Sequence, residues 1–89
     1  MKNNRQLERI VRGFSNHRRI EIMVLIDKEP ELSVLEVATK LRINFKTASE
    51  HIRRLAIAGL MWKRNEGNSV RHKLSPTGKT ILKFLRTLE

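Results

Sequence analysis

The side chains best suited to chemical contacts lie in residues 41–60, where hydrogen-bonding groups and cations follow one another closely. Apolar Ala48, Ile52 and Leu55 recur at i, i+4 and i+7, which predicts a helix with one buried stripe. The residues that would project away from this stripe are Lys46, Thr47, Ser49, Glu50 and Arg53. Such a face suits the major groove of DNA, where short polar groups reach base edges and cations reach phosphates. For this segment alone, an ordinary solvated amphipathic helix is the alternative.

The other side chains that could bind a metal or take part in catalysis do not form a recognisable site in the sequence. The histidines His17, His51 and His72 are far apart in sequence and lack the local spacing of zinc ligands. Residues 78–80, Gly-Lys-Thr, imitate the end of a phosphate-binding loop, but Lys73 stands where the earlier glycine is required. No serine, histidine and acid show a recognisable catalytic spacing. The sequence therefore predicts a protein that is not an enzyme and needs no cofactor.

The charge balance points to a polyanionic partner. The 89 residues include 19 Lys and Arg against 9 Asp and Glu, a formal net charge of +10. So large a basic excess in a short chain favours nucleic acid, with a membrane surface or a ribosome-associated role as alternatives. An aromatic content of 4% argues against stacking on single-stranded bases.

Composition also limits where the protein is expected to work. The chain has no cysteine, which excludes disulfides and thiolate metal sites. No apolar run approaches the roughly 18 residues of a membrane span, and the N-terminus leads into an amphipathic pattern instead of a signal sequence. We therefore expect no membrane partner and a cytoplasmic, nucleoid-associated location.

Two helical patterns open a chain that is expected to form one domain over residues 1–89. The apolar stripe of the first helix consists of Leu7, Ile10, Val11 and Phe14. Gly13, followed by Ser15 and Asn16, predicts the end of this helix and a new cap. A second helix over about residues 17–26 is apolar almost all round, as expected of a buried central helix.

The next segment has the spacing of a helix-turn-helix. Ser33 and Glu36 form a capping-box pattern that starts a third, short helix. This helix is expected to end near residues 41–42. A connection of only about three residues, with Ile43 buried in the turn, leads to the helix over residues 44–58.

A hairpin and a last helix are predicted after Gly59. The turn-forming residues 65–68 separate two short strands rich in cations. We expect Trp62 in the core at the base of this hairpin, with insertion into a DNA groove as the less favoured role. Ser75 and Pro76 begin the last helix.

The first and last helices are expected to share a homodimer interface, because a fold this small gains from additional buried area. The alternative is that both helices simply cover the core of a monomer. The residues assigned to this interface are Leu7, Ile10, Val11, Phe14, Ile81, Leu82, Phe84, Leu85 and Leu88.

Four stretches of the chain carry a family resemblance. Residues 15–23, SNHRRIEIM, stand against a family pattern SDPTRLRIL, and residues 31–38, ELSVLEVA, against E-L-S-V-x-E-L-A. Residues 41–60 match L-x-L-S-x-x-T-V-S-x-H-L-x-x-L-x-x-A-G-L, and residues 64–70 match R-x-E-G-x-x-V. In these stretches the sequence resembles the ArsR-type regulators of bacteria and archaea, over roughly residues 14–74.

This resemblance implies a mainly α fold with a small β-hairpin, the winged helix-turn-helix. It further implies a homodimeric, sequence-specific regulator of transcription, expected to be a repressor, that binds double-stranded DNA. The alternative is a winged-helix module for protein–protein assembly or for structured RNA. The recognition-helix residues assigned to DNA are Asn44, Lys46, Thr47, Ser49, Glu50, His51, Arg53 and Arg54. The wing residues assigned to DNA are Lys63, Arg64, Asn68, Arg71 and Lys73.

Roles within this set follow from side-chain chemistry. The residues expected at base edges are Lys46, Thr47, Ser49 and Glu50. Glu50 has a second possible role, which is to pair with Arg53 or Arg54 on the helix surface. The arginines of the helix and the cations of the wing are expected to hold phosphates, which fixes register without reading sequence. The tip of the wing is expected near the adjacent minor groove.

The chain departs from the metal-sensing members of the family. Many of these carry a C-x-C pair on the third helix, where this sequence has Ser33 and Leu35. Others place ligands on the last helix, which here holds Lys79, Lys83 and Arg86. Neither set suits a soft or borderline metal. We therefore expect the protein not to respond to metals.

Overall fold

In the computed structural model, which describes residues 1–89, five helices accompany one two-stranded antiparallel hairpin. The elements, in chain order, are α1 Asn4–Phe14, α2 His17–Lys28, α3 Val34–Leu41, α4 Phe45–Ile57, β1 Met61–Glu66, β2 Ser69–Leu74 and α5 Pro76–Arg86. The predicted fold class is confirmed. The second helix continues two residues beyond its predicted end, to Lys28.

Local side-chain caps fix where the helices begin. Asn16 accepts hydrogen bonds from two backbone N–H groups at the start of α2. Ser33 accepts from the N–H of Glu36 at 3.2 Å, while the Glu36 carboxylate accepts from the N–H of Ser33 at 2.9 Å. Ser75 caps α5, with Pro76 at the first helical position. These caps confirm the predicted helix starts, because each satisfies N–H groups that the helix itself leaves without partners.

The core forms where α2, α3, α4 and the base of the hairpin meet, and Phe14 of α1 and Leu82 of α5 complete it. The buried stripe of α4 is Ala48, Ile52 and Leu55, as its spacing predicts. α2 does not meet the expectation of burial all round, since Val24 is 42% exposed. A chain of this length has too few residues to cover both sides of its central helix.

The hairpin is held to the rest of the domain through the segment before α3. Leu32 forms an antiparallel bridge with His72, and the N–H of Glu31 donates to the carbonyl of His72 at 2.8 Å. At the base of the hairpin Met61 pairs with Leu74, and both are buried. The wing is therefore a fixed part of the domain.

Trp62 corrects one sequence-based expectation. It is 52% exposed and does not belong to the core. Successive residues of a strand point to opposite faces, so burial of Met61 turns Trp62 outward. Its cross-strand partner is Lys73, whose Nζ lies 5.7 Å from the centre of the indole ring. The pair forms a cation–π contact on the outer face of the wing.

His72 is a buried polar residue of the wing. Its Nδ1 lies 2.8 Å from the carbonyl oxygen of Leu32, which requires that Nδ1 carry the donated proton. Burial lowers the pKa of His72, and the nearby Lys63 lowers it further, while the bond to Leu32 acts in the opposite direction. The folded wing therefore favours a neutral imidazole.

This burial predicts a loss of stability on acidification. The unfolded chain takes up a proton at His72 near pH 6.5, whereas the folded chain resists protonation to a lower pH. The stabilisation is complete above about pH 6.5 and decreases as the pH falls toward the folded pKa. We expect His72→Gln to flatten the decrease in Tm between about pH 7.5 and about pH 5.5. His17→Gln, at an exposed histidine, is the control, and an unchanged slope in His72→Gln would contradict the assignment.

Candidate nucleic-acid interface

The start of α4 is set by Asn44, whose side-chain oxygen accepts hydrogen bonds from the N–H groups of Lys46 at 2.7 Å and Thr47 at 3.3 Å. The preceding turn is closed by the N–H of Ile43, which donates to the carbonyl of Ala38 at 3.0 Å. The oxygen of Asn44 is therefore used within the fold, and only its amide N–H₂ group remains for a ligand.

Burial of one stripe leaves the opposite face of α4 in solvent. The exposed residues of this face are Lys46, Thr47, Glu50, Arg53 and Arg54, and Ser49 is half-buried at its edge. The structure thus places the expected base-contacting residues together on one side of a helix. Lys46 lies in the first turn and has no carboxylate within ion-pair distance.

Glu50 organises the cations of this face. Its carboxylate accepts hydrogen bonds from Nε and Nη2 of Arg53, both at 3.0 Å, and from Nε of Arg54 at 3.2 Å. The hydrogen bond from Arg53 is the main cause of the lowered pKa of Glu50. In the unbound protein, Glu50 therefore has the pairing role that the sequence left open as the second possibility.

His51 lies at the border between α4 and α2. Its Nδ1 is 3.4 Å from Nη1 of Arg19, a residue of α2 that the sequence did not single out. Burial lowers the pKa of His51, with Arg19 as the next cause, so the neutral ring can accept this hydrogen bond. The Nε of Arg19 is buried without a partner. His51 is consequently half-buried against α2 instead of lying in the open face.

The wing cations divide into two kinds. Arg64 pairs with Glu31 at 3.1 Å, and Arg71 pairs with Glu36 at 3.0 Å and with Glu66 at 3.3 Å. Arg71 also donates to the backbone carbonyl of Glu31 at 3.3 Å. These arginines fasten the wing to α3 and to the segment before it.

Lys63 and Lys73, by contrast, have no carboxylate partner and are exposed. Asn68 is exposed at the tip of the wing, after Gly67 with a φ of +59°. A glycine at the first position of a two-residue hairpin turn is the pattern of type II′ turns. The structure therefore leaves the two lysines and the tip of the wing available to a partner.

Comparison with known proteins places this geometry in a family. No protein-family model matches the chain. The transcriptional activator HlyU of Vibrio cholerae is 30% identical over 88 residues, which span 98% of this chain and 81% of HlyU. The chain belongs to the ArsR family of winged helix-turn-helix regulators.

Solved structures agree with this relationship. The structure of reduced HlyU from Vibrio cholerae superposes with a TM-score of 0.82 at 28% identity, covering 97% of this chain and 90% of HlyU. A homodimeric winged helix-turn-helix DNA-binding domain from Mycobacterium bovis, Mb0332, has a TM-score of 0.85 at 23% identity, covering 99% and 87% of the two chains. Mb0332 is described as a possible ArsR-family regulator, and its likeness shows the shared fold.

The apolar faces of α1 and α5 in this ArsR-family chain are only partly free. Phe14 and Leu82 were expected at the dimer interface, but both are buried in the core of the single subunit. One side of the apolar stripe of each helix packs into the subunit's own core, and the other side remains in solvent. The half-buried residues at the margin are Ile10, Ile81 and Leu85. The exposed ones are Leu7, Val11, Phe84 and Leu88.

Metal-binding clusters and membrane-spanning helices are two further features to consider. No three His, Cys, Asp or Glu side chains lie close enough to hold a metal ion together. No helix of the protein is both long and apolar enough to cross a membrane.

Arg42 is an exposed cation beside α4 that the sequence pattern did not reveal. It lies in the turn between α3 and α4, is exposed, and has no carboxylate partner. Its backbone is left-handed, with a φ of +55°. This conformation is unfavourable for residues other than glycine, asparagine and aspartate. The signal in the sequence is the short connection itself, since a turn this tight commonly requires one left-handed residue.

Relief of this strain is testable. Arg42→Gly should raise the free energy of unfolding by roughly 0.5 to 1 kcal/mol, once the greater chain entropy of glycine is subtracted. Arg42→Ala should give no such gain, because alanine meets the same steric conflict. Urea denaturation of the three proteins measures the difference. A glycine variant less stable than the alanine variant would contradict the assignment of strain to this position.

Proposed function

We propose that the protein is a homodimeric transcription regulator that binds double-stranded DNA in a sequence-specific manner. α4 of each subunit enters a major groove, with its first turn nearest the bases. The observation that carries this proposal is the exposed polar and cationic face of α4, presented by a fixed helix-turn-helix beside a cationic wing. Membership of the ArsR family supports it.

The ion pairs refine which side chains meet which part of DNA. Eight of the 19 Lys and Arg residues pair with carboxylates, and 11 do not. A cation already paired must release or share its partner before it binds phosphate. The unpaired cations nearest the proposed DNA-facing surface are Arg42, Lys46, Lys63 and Lys73. We assign phosphates to Arg42, Lys63 and Lys73, and base edges to Lys46, Thr47 and Ser49.

The paired residues receive different roles. Arg64 and Arg71 act chiefly by holding the wing in position. Glu50 keeps Arg53 and Arg54 close to the groove, where they are released to phosphates as DNA approaches. Asn68, at the exposed tip, reaches toward the adjacent minor groove.

Salt dependence tests this assignment. If each subunit holds roughly 4 phosphates, the plot of log K against log[salt] for the dimer should have a slope of about −7. Lys63→Ala and Arg42→Gly should each flatten it by about 1 for every phosphate that the dimer no longer binds. Arg71→Ala should weaken binding with less flattening and should lower Tm. Fluorescence anisotropy on duplex DNA measures these slopes, with Lys83→Ala on α5 as the control of equal charge change.

The same assay separates base reading from phosphate binding. Ser49→Ala should weaken binding to the preferred duplex more than to a scrambled one, whereas Lys63→Ala should weaken both alike. Equal losses of affinity on the two duplexes for every α4 variant would contradict the role of α4. Comparable affinity for structured RNA would favour the alternative of an RNA-binding module.

Mb0332 is described as homodimeric, which supports a dimer for this chain. The exposed apolar residues of α1 and α5 supply the surface. We expect Phe84→Asp to yield folded monomers, because it places a carboxylate in a desolvated contact at a cost of several kcal/mol. Leu35→Asp makes the same change on α3 and should remain dimeric. Analytical ultracentrifugation decides, and a wild-type monomer at tens of micromolar would refute the dimer.

The comparisons and the composition bear on whether the protein activates or represses transcription and on what its effector is. HlyU is named an activator, so the relationship supports regulation of transcription without supporting the expected repressor role. The HlyU structure is that of a reduced form, whereas this chain has no cysteine and cannot respond through thiol oxidation. We propose that no metal is the effector, because residues Ser33 and Leu35 occupy the thiolate positions and α5 carries cations.

The remaining assignments depend on this function. The named relatives are transcription regulators, and we assign no enzymatic activity to the chain. A regulator of this kind works on chromosomal DNA, so we place it at the nucleoid in the cytoplasm.

A further inference from the structure

Phe45, the first residue of α4, is an exposed aromatic side chain at the front of the recognition helix. It is 54% exposed and belongs to neither the core nor the apolar residues packed against it. The helix cap is already supplied by Asn44. Phenylalanine is also only a moderate helix former. Neither folding nor capping therefore accounts for an aromatic ring at this position.

The side chain of Phe45 lines a groove of about 330 Å³ between α4, α3 and the wing. The first turn of α3 supplies Val34 and Leu35, and the tip of the wing supplies Asn68, Ser69 and Val70. Leu35 is 62% exposed and Val70 is 38% exposed. The groove therefore has apolar walls although it opens between a helix start and a hairpin tip, where polar residues are usual.

The position of Phe45 relates it to the proposed DNA-facing residues. It precedes Ser49 by one turn on the same flank of α4, and helical side chains lean toward the N-terminus. The next residue is the unpaired cation Lys46. If α4 enters the major groove by its first turn, Phe45 must enter with it. The inference thus rests on the proposed function.

The major groove offers one apolar feature to such a side chain. The base edges present hydrogen-bond donors and acceptors, and only thymine adds a methyl group, at C5. We propose that Phe45, with Leu35 as the second wall, binds a thymine methyl in each half-site and so specifies an A·T pair there.

A thymine methyl fits this patch better than a folded protein partner. The apolar walls comprise only four side chains. The area that they can bury is far smaller than that of a stable protein–protein interface. The patch lies between the cation Lys46 and the polar tip of the wing, and the chain carries a net charge of +10. A surface with these neighbours is suited to a polyanion.

Replacement of thymine by uracil removes the methyl group alone. The preferred duplex is first selected from random sequences with the wild-type dimer, and each thymine is then replaced in turn. We expect one position per half-site at which uracil weakens wild-type binding about fourfold, the factor that corresponds to burial of one methyl group. In Phe45→Ala the effect of uracil should disappear at that position alone. A double-mutant cycle that combines Phe45→Ala with the replacement of thymine by uracil measures this coupling.

Ile57→Ala is the matched control, because Ile57 is 64% exposed at the opposite end of α4. It should keep the full sensitivity to uracil. Phe45→Ala should keep the Tm of the wild type, since the ring is largely in solvent, and should keep the salt slope of DNA binding.

The outcomes separate the inference from the proposed function. A protein that binds duplex DNA with the expected salt slope but is indifferent to uracil at every position overturns the inference alone. The same holds if Phe45→Ala keeps the uracil effect, or if Phe45→Ala changes the sedimentation of the dimer while DNA binding stays intact. A wild-type protein that binds no duplex rejects both.

Discussion

Burial of Ala48, Ile52 and Leu55 is the constraint on which the proposed interface depends, because it fixes the rotation of α4 about its own axis. When one stripe of a helix is buried in the core, the residues that the helix exposes to solvent are determined. The side chains that face outward then include hydroxyls and cations within the first two turns. The cap at Asn44 sets where the helix begins, and thereby which residues form its leading end.

Charge pairing adds a second level of organisation to a strongly basic chain. The wing would be a weakly held two-stranded hairpin without external contacts. The N–H of Glu31 donates to the carbonyl of His72, and the N–H of His72 donates to the carbonyl of Leu32. Together with the ion pairs of Arg64 and Arg71, these bonds tie the wing to α3 and to the segment before it. The carboxylates of Glu31, Glu36 and Glu66 therefore pair with the arginines that hold the wing in position. The lysines of the wing have no such partners, and in the proposed function they are the cations that bind DNA.

Features that depend on neighbouring residues along the chain were predictable from the sequence, whereas features set by tertiary contacts were not. The caps at Asn16, Ser33 and Ser75 are local hydrogen bonds, and each was predicted at the observed position. Trp62 was misplaced because its side depends on which strand face the core covers. Phe14 and Leu82 were misplaced because an apolar stripe does not reveal how much of its width the subunit itself buries. The pairing of Glu50 with Arg53 and Arg54 is local along the helix and was one of the two roles proposed from the sequence. The contact of Arg19 with His51 and the left-handed backbone of Arg42 required coordinates.

A small core and a split apolar surface together couple folding, assembly and binding. A domain of this size buries a modest fraction of its surface, and the free parts of α1 and α5 offer more. In a symmetric dimer the spacing between the two α4 helices must match one turn of DNA, roughly 34 Å, for both to enter successive major grooves. Any effector that binds one dimer geometry better than another would therefore change DNA affinity without touching α4.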